Sequence, residues 1–183
     1  MSNYNEKVFN EQIHILRDFL FHYSGFRLLH QEFDNLIKFG SQDFWIYTIN
    51  AHYLQAINLW CMVFGTNTNE THWKKLGLIG DFKSIILSSL ELDDDTYTTY
   101  WESVKNWRNK YSAHRIPDFS EPTPDLKLAR TVALLYEDWV STNIDDSINF
   151  SLKSYEVEFN EEIRKSFMYL LSPLSKEQSA FEN

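Results

Sequence analysis

The chain of 183 residues carries a single cysteine, Cys61. That excludes an internal disulfide framework and any zinc site built from several thiolates. Cys61 stands in an apolar run, where a thiol acts as a small buried hydrophobe rather than a nucleophile. Glycine (five) and proline (four) are scarce, which disfavours a fold of many short strands and tight turns. No apolar run reaches the roughly 18 to 20 residues needed to cross a bilayer. The opening MSNYNEKVFN lacks the basic-then-apolar order of a secretion signal. A cytoplasmic protein without membrane contact is the expectation. There is no Walker-type Gly-Lys-Ser, no Gly-x-Gly-x-x-Gly and no Gly-x-Ser-x-Gly, so the familiar nucleotide and acyl-transfer motifs are excluded. Positive charge is short as well. A net charge of −9 argues against a surface that coats nucleic acid, and no DNA partner is expected.

What is present is apolar and aromatic. Hydrophobic residues make up 43% and aromatics 16% of the chain, enough for a packed core. The spacing predicts an all-α fold, an antiparallel up-and-down bundle of about five main helices, in one domain over 1–175 with a frayed tail at 176–183. Val8, Ile13, Leu16, Leu20, Phe21, Phe26, Leu29, Phe33 and Leu36 give helical periodicity, with Ser24-Gly25 a place for a kink or a division in two. Phe44 to Phe64 is apolar on nearly every side, as a helix surrounded by others would be. Gly80-Asp81 opens a brief helix to about Leu90. Asp93-Asp94-Asp95 reads as the cap of the next helix rather than a metal site. Thr123-Pro124 reads as another helix start, running to about Asn143. A last helix is expected over Val157–Leu171.

The stretch from Trp101 to Pro117, WESVKNWRNKYSAHRIP, draws the most attention. Tyr97, Tyr100, Trp101, Val104, Trp107 and Tyr111 step by three and four residues along one helix face. Pro117 disfavours helical geometry at Ile116, so the helix should end near Ser112–Arg115. At that end the charge balance reverses. Lys105, Arg108, Lys110 and Arg115 occur with no acidic residue between Ser103 and Pro117, and any bound anion is expected there. Arg108 offers a permanently charged planar fork for two phosphate oxygens. His114 offers a group that exchanges protons near neutrality. Together they suit phosphodiester cleavage in RNA: one group takes the 2′-hydroxyl proton, the other stabilises charge on phosphorus, and Asn109 holds a phosphate oxygen or the imidazole. At about 100° per residue, Arg108 and His114 lie some 120° apart on an ideal helix. They converge only if the helix unwinds after Tyr111, or if a second copy of the chain supplies one of them.

The segment RNKYSAH resembles the arginine, four-to-six residues, histidine signature of the HEPN family, and looks most like its abortive-infection and toxin branch. The likeness includes the motif's place late in a helix of an all-α chain, and the polar residue directly after the arginine. The resemblance implies a homodimer with a composite cleft and a metal-independent endoribonuclease without a cofactor. It carries the catalytic roles onto Arg108 and His114 and a supporting role onto Asn109. Lys105, Lys110 and Arg115 would add RNA and phosphate contacts. The substrate would be RNA, an exposed tRNA loop being one such target, and an antitoxin protein is a further candidate partner. A non-cleaving RNA- or nucleotide-binding module and a helical interaction domain are the alternatives.

Other candidates read as structure. Arg17 and His22 repeat the same spacing, but Phe19, Leu20 and Phe21 embed them in an apolar helix face. His14, His30 and His52 lie on helices without metal-ligand spacing. His72-Trp73 with Lys74-Lys75 is a candidate wall for a nucleotide groove, since an indole stacks on a base; packing of Trp73 into the core is the preferred reading.

Overall fold

Helix α1 (Glu6–Gln31) starts where the Asn5 side chain accepts a hydrogen bond from the Val8 amide (3.3 Å), satisfying a donor that has no partner inside the helix. It buries Phe9, Leu16, Phe19, Leu20 and Leu28, one face of a 3.6-residue period. The helix runs unbroken through Ser24-Gly25. Gly25 is there for room: a Cβ built on it would lie 2.6 Å from His52 Nδ1. A four-residue α2 (Phe33–Leu36) and a 3-10 turn lead into α3 (Gln42–Phe64). The structure, a computed structural model, describes residues 4–113, 117, 120–144 and 150–181, with the backbone alone for 39, 113 and 170–181.

From Tyr53 onward α3 is central, with Ala56, Ile57, Trp60 and Val63 fully buried. Its first turns are not surrounded as expected: Phe44 and Tyr47 are 59% and 75% exposed. A 3-10 turn over Trp73–Leu76 follows, and then α4 (Phe82–Leu90), capped by Asp81, whose carboxylate accepts from Lys83 N (3.2 Å) and Ser84 Oγ (2.7 Å). Asp93 caps α5 (Asp94–Trp107) by accepting from Thr96 N at 2.6 Å. Among the described residues no three His, Cys, Asp or Glu side chains gather as metal ligands.

Two helix starts differ from expectation, each for a tertiary reason. Helix α6 (Lys127–Asn143) begins after Pro124 rather than at it. The Pro124 carbonyl accepts from Tyr53 Oη (2.8 Å) and the Asp125 carbonyl from Tyr100 Oη (2.9 Å), which ties both residues to α3 and α5. Helix α7 (Leu152–Phe181) begins five residues before Val157. Its leading amides, Leu152 N and Lys153 N, donate to the buried Glu137 carboxylate of α6 at 3.0 and 3.3 Å. That cap comes from another helix, and nothing in the local sequence announces it.

Helix α1 packs along α3 and α7. Gln12, fully buried, joins three elements: its Nε2 donates to the carbonyls of Thr71 and His72, and its Oε1 accepts from Tyr136 Oη on α6. Arg130 of α6 meets Glu156 of α7 through both nitrogens of its fork (2.5 and 2.6 Å), a bidentate pair that fixes orientation as well as charge. Aromatic rings fill the space between α3, α4 and α6, with Phe82 against Phe64, Tyr136 and Trp139. The described residues form seven α-helices and no strand. Among them no helix is long and apolar enough to cross a membrane.

Candidate functional site

The aromatic stripe of α5 does what its spacing implies. Tyr97, Val104 and Trp107 are buried, and Tyr100, Trp101 and Tyr111 pack at their margins. Trp107 meets Tyr53 of α3 edge-on, with centroids 5.1 Å apart and planes at 85°, and Tyr111 lies against Trp107 at 4.6 Å. Trp101 Nε1 donates to the Phe64 carbonyl (2.6 Å). Buried aromatic contacts of this kind hold a helix at a fixed rotation.

At Arg108 the helix changes character. It does not unwind after Tyr111 within the described residues. It widens into a π-helical turn over Arg108–Ala113, where each carbonyl bonds to the amide five residues on instead of four. Such turns are short and concentrate at functional sites. This one is tied to α3 from outside: Asn58 Nδ2 donates to Ser112 Oγ (2.9 Å), and the hydroxyl is within 3.2 Å of Asn58 Oδ1.

The sequence-derived site residues separate by environment. Arg108 is half-buried beside the Cys61 thiol. Its Nε is buried without a hydrogen-bond partner, and no carboxylate pairs with it among the described residues. Burial pushes the Cys61 thiol up to about 11, partly offset by the Arg108 guanidinium, so the thiol stays protonated at neutral pH and is no nucleophile. Asn109 is half-buried and makes no side-chain hydrogen bond among the described residues. Lys105 sits 3.9 Å over the Trp101 ring, a cation–π placement. Lys110 is paired with Glu121, which reduces the charge it offers an anion. His114 and Arg115 lie outside the described residues.

One stripe of α5 and its π turn therefore carries Trp101, Lys105, Arg108 and Ser112, spaced by three and four residues. Phe64, Cys61 and Asn58 of α3 meet the stripe at Trp101, Arg108 and Ser112 in turn. The repeating spacing marks one helix side.

At the Trp101 end of that stripe a cleft of about 570 Å³ opens, lined among others by Thr66, Asn67, His72, Lys74, Thr98 and Trp101. Its size lies within the range of small-molecule sites. His72, 4% exposed, accepts from Lys74 N at Nδ1 (3.2 Å) and bonds to the Gly65 backbone. Burial, reinforced by Lys74 and Lys75, pushes its pKa down to about 4, so the imidazole is neutral at pH 7. Trp73 serves packing, edge-on to Phe82 and Trp139, and lines the cleft as well. His72, Trp73 and Lys74 line the cleft and were legible in sequence as a candidate wall; Lys75 is not among the lining residues. The contributions of Thr66, Asn67 and Thr98 were not, because short polar residues in a loop or a helix's first turns carry no spacing signal.

The Arg17–His22 repeat of the motif has a different setting. Arg17 pairs with Asp18 (3.3 Å), and His22 Nδ1 lies 3.1 Å from His52 Nδ1. Burial holds both imidazoles below their ordinary pKa.

Comparison of the chain with protein-family models, curated proteins and solved structures finds no match.

Proposed function

We propose that the chain is a HEPN-type, metal-independent endoribonuclease, built as an antiparallel helical bundle and acting as a homodimeric toxin or phage-defence effector. The observation that carries this reading is the state of Arg108: a guanidinium at a π-helical turn, without a carboxylate partner among the described residues and with its Nε unsatisfied. An unsatisfied buried donor costs stability, on the order of 1–3 kcal/mol. That cost marks Arg108 as held for something other than stability, and a permanent planar cation suits a phosphate.

In the proposed reaction His114 removes the 2′-hydroxyl proton of the substrate ribose. The 2′-oxygen forms a bond to phosphorus and the bond from phosphorus to the 5′-oxygen breaks. The products are a 2′,3′-cyclic phosphate and a 5′-hydroxyl. The leaving oxygen takes its proton from the partner subunit's His114, and Arg108 binds the non-bridging oxygens as negative charge grows on them. Asn109 would orient a phosphate oxygen, and Lys105 would hold the strand beside it. A protein of net charge −9 has no general attraction for polyanions, which fits a particular exposed RNA loop, such as one in tRNA, better than indiscriminate cleavage.

The test is His114→Ala and Arg108→Ala on the full chain, assayed on total tRNA with a chelator present. Both variants should fold, as judged by helical circular dichroism, and should lose cleavage by at least about a hundredfold. Wild-type cleavage should be indifferent to the chelator. Cleavage undiminished in His114→Ala would overturn the proposal.

A further inference from the structure

We infer that the cleft at the Trp101 end of the basic stripe seats one nucleotide of a single-stranded RNA, its base among the aromatic rings and its phosphate at Lys74. The inference rests on the reading of the protein as one that acts on RNA, and extends it to a site remote from Arg108.

Phe64, Phe82, Ile86 and Tyr97 form the buried back of the cleft, and the aromatic rings that reach solvent there are those of Trp73 and Trp101, both half-buried. A planar base with a face to stack suits such rings, whatever its sequence. Thr66 and Asn67 also line the cleft and can donate to and accept from a base edge. Of the two lysines, Lys83 is already engaged by Asp94 (2.5 Å) and Thr98. Lys74 is exposed, lies 5.2 Å over the Trp73 ring and has no ion pair among the described residues. Among the described residues lining the cleft the one carboxylate is Asp81, and both its oxygens cap α4, which lessens its opposition to an anion. His72 beneath is neutral and internally satisfied, a rigid floor rather than an acid or base.

Continuity with the Arg108 end supports an RNA strand over an isolated metabolite. Trp101 lines the cleft, Lys105 stands over the same ring, and Arg108 follows two turns on. Seven residues of helix advance about 10 Å, a span that a short stretch of single strand covers. A base in the cleft would thus fix which phosphodiester bond reaches Arg108, giving the protein its nucleotide preference.

The experiment titrates wild-type protein with the four nucleoside 5′-monophosphates and with ribose 5-phosphate, read by tryptophan fluorescence and calorimetry. At least one mononucleotide should bind saturably, and more tightly than ribose 5-phosphate by roughly tenfold, the size of one stacked base. Lys74→Glu, a surface change, should weaken that binding about tenfold or more, and Asn67→Ala should alter the ranking of the four bases. Arg108→Ala should leave mononucleotide binding within about twofold while removing cleavage. Ribose 5-phosphate binding as tightly as every mononucleotide, or mononucleotide binding indifferent to Lys74→Glu, would overturn the inference while leaving the nuclease proposal standing. Saturable, Lys74-dependent nucleotide binding in a protein that cleaves no RNA would do the reverse.

Discussion

Asn58 and Ser112 exchange hydrogen bonds across the gap between α3 and the π-helical turn, 2.9 Å in one direction and 3.2 Å in the other. The wide turn follows directly from α5 and would otherwise be free to rewind as ordinary helix. The contact gives the turn a partner outside its own backbone and sets its register against Cys61 and Arg108.

Asn58→Ala should therefore act on the turn before it acts on the core. Removing the amide leaves the Ser112 hydroxyl without this partner and should cost about 1–2 kcal/mol, measured by urea denaturation. If the turn's register sets Arg108 against the phosphate, RNA cleavage should fall more than stability does, with the loss in kcat rather than KM. Cleavage that tracks the folded fraction alone would show the contact to be structural only.

Glu137 offers a cleaner stability experiment, far from the stripe. Its buried carboxylate accepts from the first two amides of α7. Glu137→Gln keeps one acceptor oxygen and should cost about 1 kcal/mol, whereas Glu137→Ala should cost about 2–3 kcal/mol. Hydrogen exchange should locate the added opening at residues 152–156 in both variants. Equal costs for the two would mean that packing volume, not capping, is what Glu137 provides.

What the sequence made legible follows from which interactions are local. The stripe from Tyr97 to Tyr111, the aspartate caps at 81 and 93 and the burial of Cys61 all depend on spacing or on neighbours within one turn. The start of α7 depends on Glu137, 15 positions upstream of Leu152, and the start of α6 on tyrosines of α3 and α5. Neither leaves a local trace. The π turn is likewise invisible to a reading at 100° per residue, because its external tie is 54 positions away at Asn58. The basic cluster was legible as charge, but not the Glu121 carboxylate that meets Lys110. As for the exposed first turns of α3, apolar composition predicts burial, while Phe44 and Tyr47 lie on a surface that no other part of the described chain covers.

His72 gives the protein an acid-sensitive step. An unfolded histidine takes up a proton near its ordinary pKa of 6.5, while the folded protein resists until about 4. Stability is therefore complete above about pH 6.5 and is lost as pH falls toward 4. The difference is worth about 3 kcal/mol at the acid end. His22 and His52, also held low, act in the same direction. His72→Asn can keep a side-chain acceptor for the Lys74 amide and removes the titration. Urea unfolding between pH 7.5 and 4.5 should show a shallower pH dependence in this variant than in the wild type. Parallel curves would mean that His72 is not neutral in the folded protein.

Gly25 should give the opposite of what helix propensity says. Inside an exposed helix, glycine to alanine stabilises by about 1 kcal/mol. Here the added methyl would stand 2.6 Å from His52 Nδ1 and 2.8 Å from its Cε1, well inside contact distance. The imidazole cannot move freely, since its Nδ1 is also 3.1 Å from that of His22 and α1 lies along α3. Gly25→Ala should therefore destabilise by about 1–3 kcal/mol through overpacking. Combining it with His52→Ala vacates the ring's space and should reverse the sign, so that Gly25→Ala stabilises in that background. The double-variant cycle measures the coupling directly. Additive effects of the two substitutions would show that Gly25 is not there to make room for the ring.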